Sequence, residues 1–282
     1  MKLAIITDST CDLGFETLEA IKVEAVPLYV HFKGETFKDW LEISPADIIK
    51  GVKEGAETPT TSQPSPQDFE EAFKRAVDGG AEEILCIVIS GELSGTHQSA
   101  NLAKDKAGVP VTLIDSRSGS LGVGAMVRRA AEMREQGKGL GDIIAEIERI
   151  KANNRILFTV ATLEFLQKGG RIGKASALLG SLLNIKPILG LEDGKIVPVA
   201  KARGSKKALK EMVAQVQDFA TKHGKPIIHF LHVQDPGAAE AMQNAVKEAG
   251  VEFEVGSAGE IGAVIAAHVG PGTYGFFMYS EA

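Results

Sequence analysis

Ser90-Gly91-Glu92-Leu93-Ser94-Gly95-Thr96-His97-Gln98-Ser99 follows directly on the apolar run Ile84-Leu85-Cys86-Ile87-Val88-Ile89. The run, rich in Ile and Val, reads as a buried strand. Ser94, Gly95 and Thr96 then read as the opening of a helix whose backbone N–H groups face whatever lies beyond the strand end. Such an arrangement holds an anion. No Lys or Arg occurs between Ile84 and Ser99, so the anion meets hydroxyls and amide dipoles, which suits a single carboxylate better than a polyphosphate. Taken alone, Ser94 is equally a helix cap and Gly95 a turn residue. A second cluster without a cation, Thr60-Thr61-Ser62 in the loop that runs to Ser65, favours the carboxylate reading.

Other chemistries fit less well. A nucleophile elbow needs one residue between its first glycine and its serine, whereas Gly91-Glu92-Leu93-Ser94-Gly95 has two. A serine hydrolase would need His268 as base, and an acid partner in chain order is not apparent. The segment Gly169-Gly170-Arg171-Ile172-Gly173-Lys174-Ala175-Ser176 is P-loop-like, but Lys168 stands at the leading glycine and Ala175 follows the lysine. Arg171 and Lys174 then read as cations on a Gly-rich surface turn. Gly122-Val123-Gly124 lacks the third glycine of a dinucleotide fingerprint. The close histidines His229 and His232 have an odd offset in a strand pattern, which points them to opposite faces, so no metal is expected. Asp8 and Asp115, at strand ends, are expected to bind loop N–H groups rather than to act as a catalytic pair. His268, just before Gly270-Pro271-Gly272, is either a helix-stop residue or a hydrogen-bond donor to a carboxylate.

Positioning these residues requires an α/β scaffold of two domains. In the first, expected over 1–153, strands at Leu3–Thr7, Ala25–Phe32, Glu83–Ile89 and Val109–Ile114 alternate with helices at Gly14–Ile21, Pro45–Lys53, Pro66–Val77, Ser94–Lys106 and Ser120–Gln136, which calls for a mostly parallel sheet flanked by helices. Ser65 before Pro66 is a strong helix start. Ligands of such sheets bind outside the carboxyl ends of the strands. The second domain, 154–282, has strand patterns at Ile156–Thr162, Ile185–Leu191, Ile196–Val199, Pro226–Val233, Phe253–Val255 and Tyr274–Tyr279, with a turn at Glu192–Lys195 and helices at Ser205–Lys222, Gly237–Ala249 and Gly259–Ala267. Its sheet is expected to be largely antiparallel.

Composition bounds the rest. The chain is 44% hydrophobic and 24% charged with a net charge of -6, which speaks against nucleic acid as partner. No membrane span and no signal peptide are expected, and the two cysteines, Cys11 and Cys86, suggest a reduced, cytoplasmic setting.

Together, Thr7-Asp8-Ser9 with Cys11-Asp12-Leu13, Thr61-Ser62-Gln63-Pro64-Ser65, Leu93-Ser94-Gly95-Thr96 with Gln98-Ser99-Ala100, Asp115-Ser116, Leu166 to Ile172, Lys186-Pro187-Ile188-Leu189 and His268 to Gly272 resemble, in order and over the whole chain, the DegV family of bacterial fatty-acid-binding proteins. The resemblance implies a two-domain lipid-binding carrier and not an enzyme, whose second domain closes an apolar tunnel around one long-chain fatty acid such as palmitate. It implies a carboxylate held by the hydroxyls of Ser94 and either Thr61 or Ser62, with His268 in the same network and no cofactor; Gly95, at the helix opening, is a further candidate ligand-binding residue. In some members a fatty acid kinase phosphorylates the bound acid for phospholipid synthesis, and Arg171 matches the arginine implicated in meeting it. His97 stands where tyrosine is frequent. The alternative is a serine-dependent hydrolase or a phosphotransferase at the same crevice.

Overall fold

The computed structural model describes residues 2–180 and 185–281. Two compact units emerge, neither of which is one continuous stretch of chain. The first comprises Met1–Ser44, Pro59–Lys151 and Gly262–Val264, and the second Pro45–Thr58, Ala152–Ile261 and Ile265–Ala282. A single cut at 153/154 therefore misses two short excursions, one of them a whole helix.

In chain order the first part of the molecule contains β1 (Leu3–Asp8), α1 (Phe15–Ala20), β2 (Val23–Val26), β3 (Tyr29–Phe32), β4 (Glu35–Lys38), α2 (Pro45–Lys53), β5 (Thr60–Ser62), α3 (Pro66–Asp78), β6 (Glu83–Val88), α4 (Thr96–Ala103), β7 (Val111–Asp115), α5 (Leu121–Glu135) and α6 (Leu140–Ala152). The strands β2-β1-β6-β7 form a parallel sheet. Ile6, Ile84, Cys86 and Val88 pack with Phe69 and Phe73 of α3 and with Ala100 and Ala103 of α4 in one cluster. Burying each of those phenylalanines is worth about 2–3 kcal/mol. The capping box expected at α3 is present: Ser65 N–H donates to Asp68 Oδ2 at 2.7 Å and Asp68 N–H to Ser65 Oγ at 3.2 Å.

Two expectations fail here for identifiable reasons. The apolar stretch Ala25–Phe32 is two strands in two sheets, because Pro27 has no N–H for a ladder and the N–H of Leu28 is taken by Ser9 Oγ at 3.0 Å. The Thr60–Ser65 loop begins with a strand, β5, which joins β4 and β3 in a separate antiparallel sheet of order β4-β3-β5. Helix α6, unassigned in the sequence, carries a readable stripe: Ile143, Ile147 and Ile150 are its buried residues.

The second part contains β8 (Asn154–Thr159), α7 (Glu164–Lys168), β9 (Ile185–Glu192), β10 (Lys195–Arg203), α8 (Ser205–His223), β11 (Pro226–His232), α9 (Pro236–Glu248), β12 (Glu254–Glu260), α10 (Ala263–Val269) and β13 (Tyr274–Ser280). Its sheet runs β10-β9-β8-β13-β11-β12, with every neighbouring pair antiparallel except β11 and β12. The β9–β10 hairpin turns through Asp193 and Gly194, both at positive φ, as a tight two-residue turn requires. Leu157, Ile188, Met212, Phe219, Phe230 and Phe276 anchor the core beneath α8 and α9. The helix expected at Gly259–Ala267 starts later. Its first four positions continue β12 or lead out of it, and the helix proper is α10.

Candidate functional site

At the carboxyl ends of the parallel strands the two acids serve the backbone. Asp8 Oδ1 accepts from the Thr10 amide at 2.9 Å and from the Thr10 hydroxyl, while Oδ2 accepts from the Ile89 amide at 2.8 Å. This ties the end of β1 to the end of β6. Burial pushes the Asp8 carboxyl up, against the pull of those bonds. Asp115 accepts from the amides of Gly91 at 3.2 Å and Arg117 at 2.8 Å. These are the supporting roles that strand-end acids commonly take.

The turn after β6 is fixed by its own chain. Ser90 C=O accepts from the amides of Leu93 and Ser94, and the Ser90 amide donates to Ser118 C=O at 2.8 Å. Half-buried Ser94 has its Oγ 2.9 Å from Thr96 Oγ1 and accepts from the Thr96 amide at 3.3 Å. Helix α4 opens at Thr96, with Gly95 just before it. No space is left at Gly95, where a Cβ would lie 2.5 Å from Gln63 Nε2. The two hydroxyl segments are thereby brought together, since Gln63 directly follows β5.

Strand register separates Thr61 from Ser62. Directly opposed residues of an antiparallel pair share a face, and β5 pairs with β3 as Tyr29↔Ser62, Val30↔Thr61 and His31↔Thr60. Thr61 therefore shares the face of fully buried Val30. Ser62 shares that of half-buried His31, whose Nε2 is 2.9 Å from Ser62 Oγ and whose Nδ1 is 2.9 Å from Thr36 Oγ1.

His268 and Arg171 belong to the second unit. His268 lies in the last turn of α10, packed so closely over Gly169 that a Cβ there would be 2.2 Å from its Nδ1. Burial, reinforced by the Arg171 charge, lowers the imidazole to about 4. Exposed Arg171 donates to Gly169 C=O at 2.8 Å, and the segment after it coils into a short 3-10 helix, Gly173–Leu178. His229, buried in β11, meets Ser257 Oγ at 2.9 Å and stacks on Tyr279.

Sequence reasoning missed a buried acidic pair. Asp12 Oδ1 accepts from the Gly262 amide at 2.8 Å and from Trp40 Nε1–H at 3.4 Å. Asp39 accepts from the Val264 amide at 3.1 Å and the Ser9 hydroxyl at 2.8 Å. Burial, with mutual repulsion added at Asp12, raises Asp12 to about 8, and burial raises Asp39 to about 6. A Cβ at Gly262 would lie 2.2 Å from Trp40 Nε1, so the indole closes over the start of α10. Among the described residues no group of three or more His, Cys, Asp or Glu could hold a metal ion, and no helix is long and apolar enough to cross a membrane.

A family model described as DegV family matches residues 2–281. A DegV domain-containing protein of Deinococcus radiodurans is 41% identical over 98% of this chain and 97% of its own length. A fatty acid-binding protein of Thermotoga maritima is 32% identical over 98% of this chain and 97% of its own. Among solved structures, a fatty-acid-binding DegV family protein from Thermus thermophilus superposes with a TM-score of 0.96 at 45% identity, covering 99% of this chain and 100% of its own.

Proposed function

Because this chain belongs to the DegV family, we propose that it is a carrier for one long-chain fatty acid, whose carboxylate is held by the hydroxyls of Thr61 and Ser94 and the Gly95 amide. The observation that carries this reading is the contact of Gln63 with Gly95, which sets two cation-free hydroxyl segments side by side. The fatty-acid-binding relatives from Thermus and Thermotoga support the ligand class. Thr61 is preferred to Ser62 because it shares the face of fully buried Val30.

The energetics agree. An acyl chain gains about 0.8 kcal/mol for each methylene removed from water, so affinity comes from the tail and the head needs only orientation. Neutral donors supply that without the bidentate grip of an arginine. We assign the neutral imidazole of His268 a hydrogen bond in the same network. As in the kinase-coupled members of the family, the bound acid would be presented to a fatty acid kinase that forms the acyl phosphate, with Arg171 on the docking face. The hydrolase alternative lacks support, since among the described residues the side-chain hydrogen bonds of Ser94 go to Thr96 rather than to a base.

Titration with a fluorescent long-chain fatty acid tests the reading. A hydrogen bond to a charged group contributes about 1.5–3 kcal/mol, so Ser94→Ala and Thr61→Ala should each weaken binding by at least about tenfold and Ser62→Ala by less. Equal affinity for wild type and Ser94→Ala would overturn the carboxylate seat. In the same series Arg171→Ala should bind normally but fail to pass the acid to a kinase, and undiminished transfer would remove the docking role alone.

A further inference from the structure

We propose that Gln63 is a further head-group residue, whose side-chain amide donates a hydrogen bond to the fatty acid carboxylate beside Ser94 and Thr61, a role that rests on the reading of this place as a carboxylate seat. The backbone at Gly95, with φ -72 and ψ 6, is one that any residue adopts, so conformation does not call for glycine there. Close approach does. A Cβ at Gly95 would lie 2.5 Å from Nε2, 2.7 Å from Cδ and 2.8 Å from Oε1 of Gln63. These similar distances rest the carboxamide face-on against the glycine and leave its edges, which carry the donors and the acceptor, turned elsewhere. Gln63 is exposed, and among the described residues its amide makes no hydrogen bond.

The chain on either side of Gln63 is anchored. Ser62 pairs with Tyr29 of β3, Pro64 is buried and restricts Gln63 to extended backbone, and Ser65 caps α3. A long side chain pressed against Gly95 from so fixed a backbone gives up rotamer freedom and receives no protein hydrogen bond in return. That loss is taken in folding and not in binding, which preorganises the amide for a ligand group. Among the side chains of residues 60–65 and 90–96, Gln63 is the one amide, and neither segment contains Lys or Arg. Its N–H is therefore an uncharged donor of the same kind as the hydroxyls of Thr61 and Ser94. An ionised carboxylate accepts at about four lone-pair sites, so it has room for this donor beside the others.

A fatty acid and the alcohol of equal length separate a head-group contact from packing. Hexadecanoic acid and hexadecanol share a tail, and only the acid is an anion at neutral pH. Gln63→Glu keeps the size of the side chain, loses the amide donor and adds a negative charge, so it should weaken binding of the acid by about tenfold or more. Gln63→Leu, which keeps the size alone, should weaken it about three- to tenfold. Both variants should bind the alcohol within about twofold of wild type, since burial of the tail is untouched. Unchanged binding of the acid by Gln63→Glu overturns the proposal, and so does a loss shared equally by acid and alcohol, which makes Gln63 a packing residue. Ser94→Ala, measured alongside, keeps the two readings apart. If it weakens binding of the acid and Gln63→Glu does not, Gln63 alone falls. If Gln63→Glu discriminates acid from alcohol while Ser94→Ala binds the acid normally, Gln63 stands and the role of Ser94 fails.

Discussion

His268 is a cation in neither role that its position suggests. Burial and the Arg171 charge hold it near 4, so at neutral pH the ring carries no charge. Its placement depends on the missing side chain of Gly169. The backbone there has φ -74, which any residue adopts, so Gly169→Ala strains chiefly the contact with the imidazole, the Phe165 carbonyl oxygen at 3.1 Å being the next nearest atom. We expect this variant to melt within a few degrees of wild type but to bind fatty acid about tenfold more weakly, with a displaced His268 ring signal in nitrogen-15 NMR; an unmoved ring signal would contradict the packing. The turn that carries Ser94 and Gly95 between β6 and α4 was legible in the sequence because glycines and hydroxyls interrupt an apolar run. His31 was not, since its partners are set by the pairing of strands remote in sequence, Ser62 lying 31 residues on.

At the scale of elements, α10 shows where sequence periodicity stops being informative. Its pattern supports a helix anywhere from Gly259 on, and what fixes the start is a pair of carboxyls far away in the chain: Asp12 is 250 residues from Gly262, and no local signal could reveal that. The pair carries a pH signature with a definite sign. Both folded carboxyls titrate above the unfolded value of about 3.9, Asp39 near 6 and Asp12 near 8. The folded state therefore binds more protons than the unfolded chain across this range. The stabilisation is complete below about pH 4 and is lost as pH rises through 6 to 8. Asp12→Asn keeps an acceptor for the Gly262 amide without the titration, so its stability relative to wild type, measured by urea unfolding, should improve steadily from pH 5 to pH 8. A difference that is flat with pH would show that Asp12 is ionised throughout. Strand β5 makes the complementary point, because three hydroxyl residues between loops carry no strand signal until β3 is there to pair with them.

For the whole molecule, alternating strand and helix patterns gave the parallel sheet, and the Asp193-Gly194 turn gave the antiparallel one, because both follow from local periodicity and turn chemistry. The excursions of Pro45–Thr58 and Gly262–Val264 were not legible, since composition says nothing about which core a short segment joins. The central claim is that this chain carries a fatty acid on uncharged donors, and native mass spectrometry tests it directly. The purified protein, incubated with an equimolar mixture of long-chain fatty acids and a nucleotide, should show one fatty acid per chain, with occupancy sharply reduced in the Ser94→Ala, Thr61→Ala double variant. A wild-type chain that stays free of lipid, takes up the nucleotide instead, or matches the double variant in occupancy would contradict it.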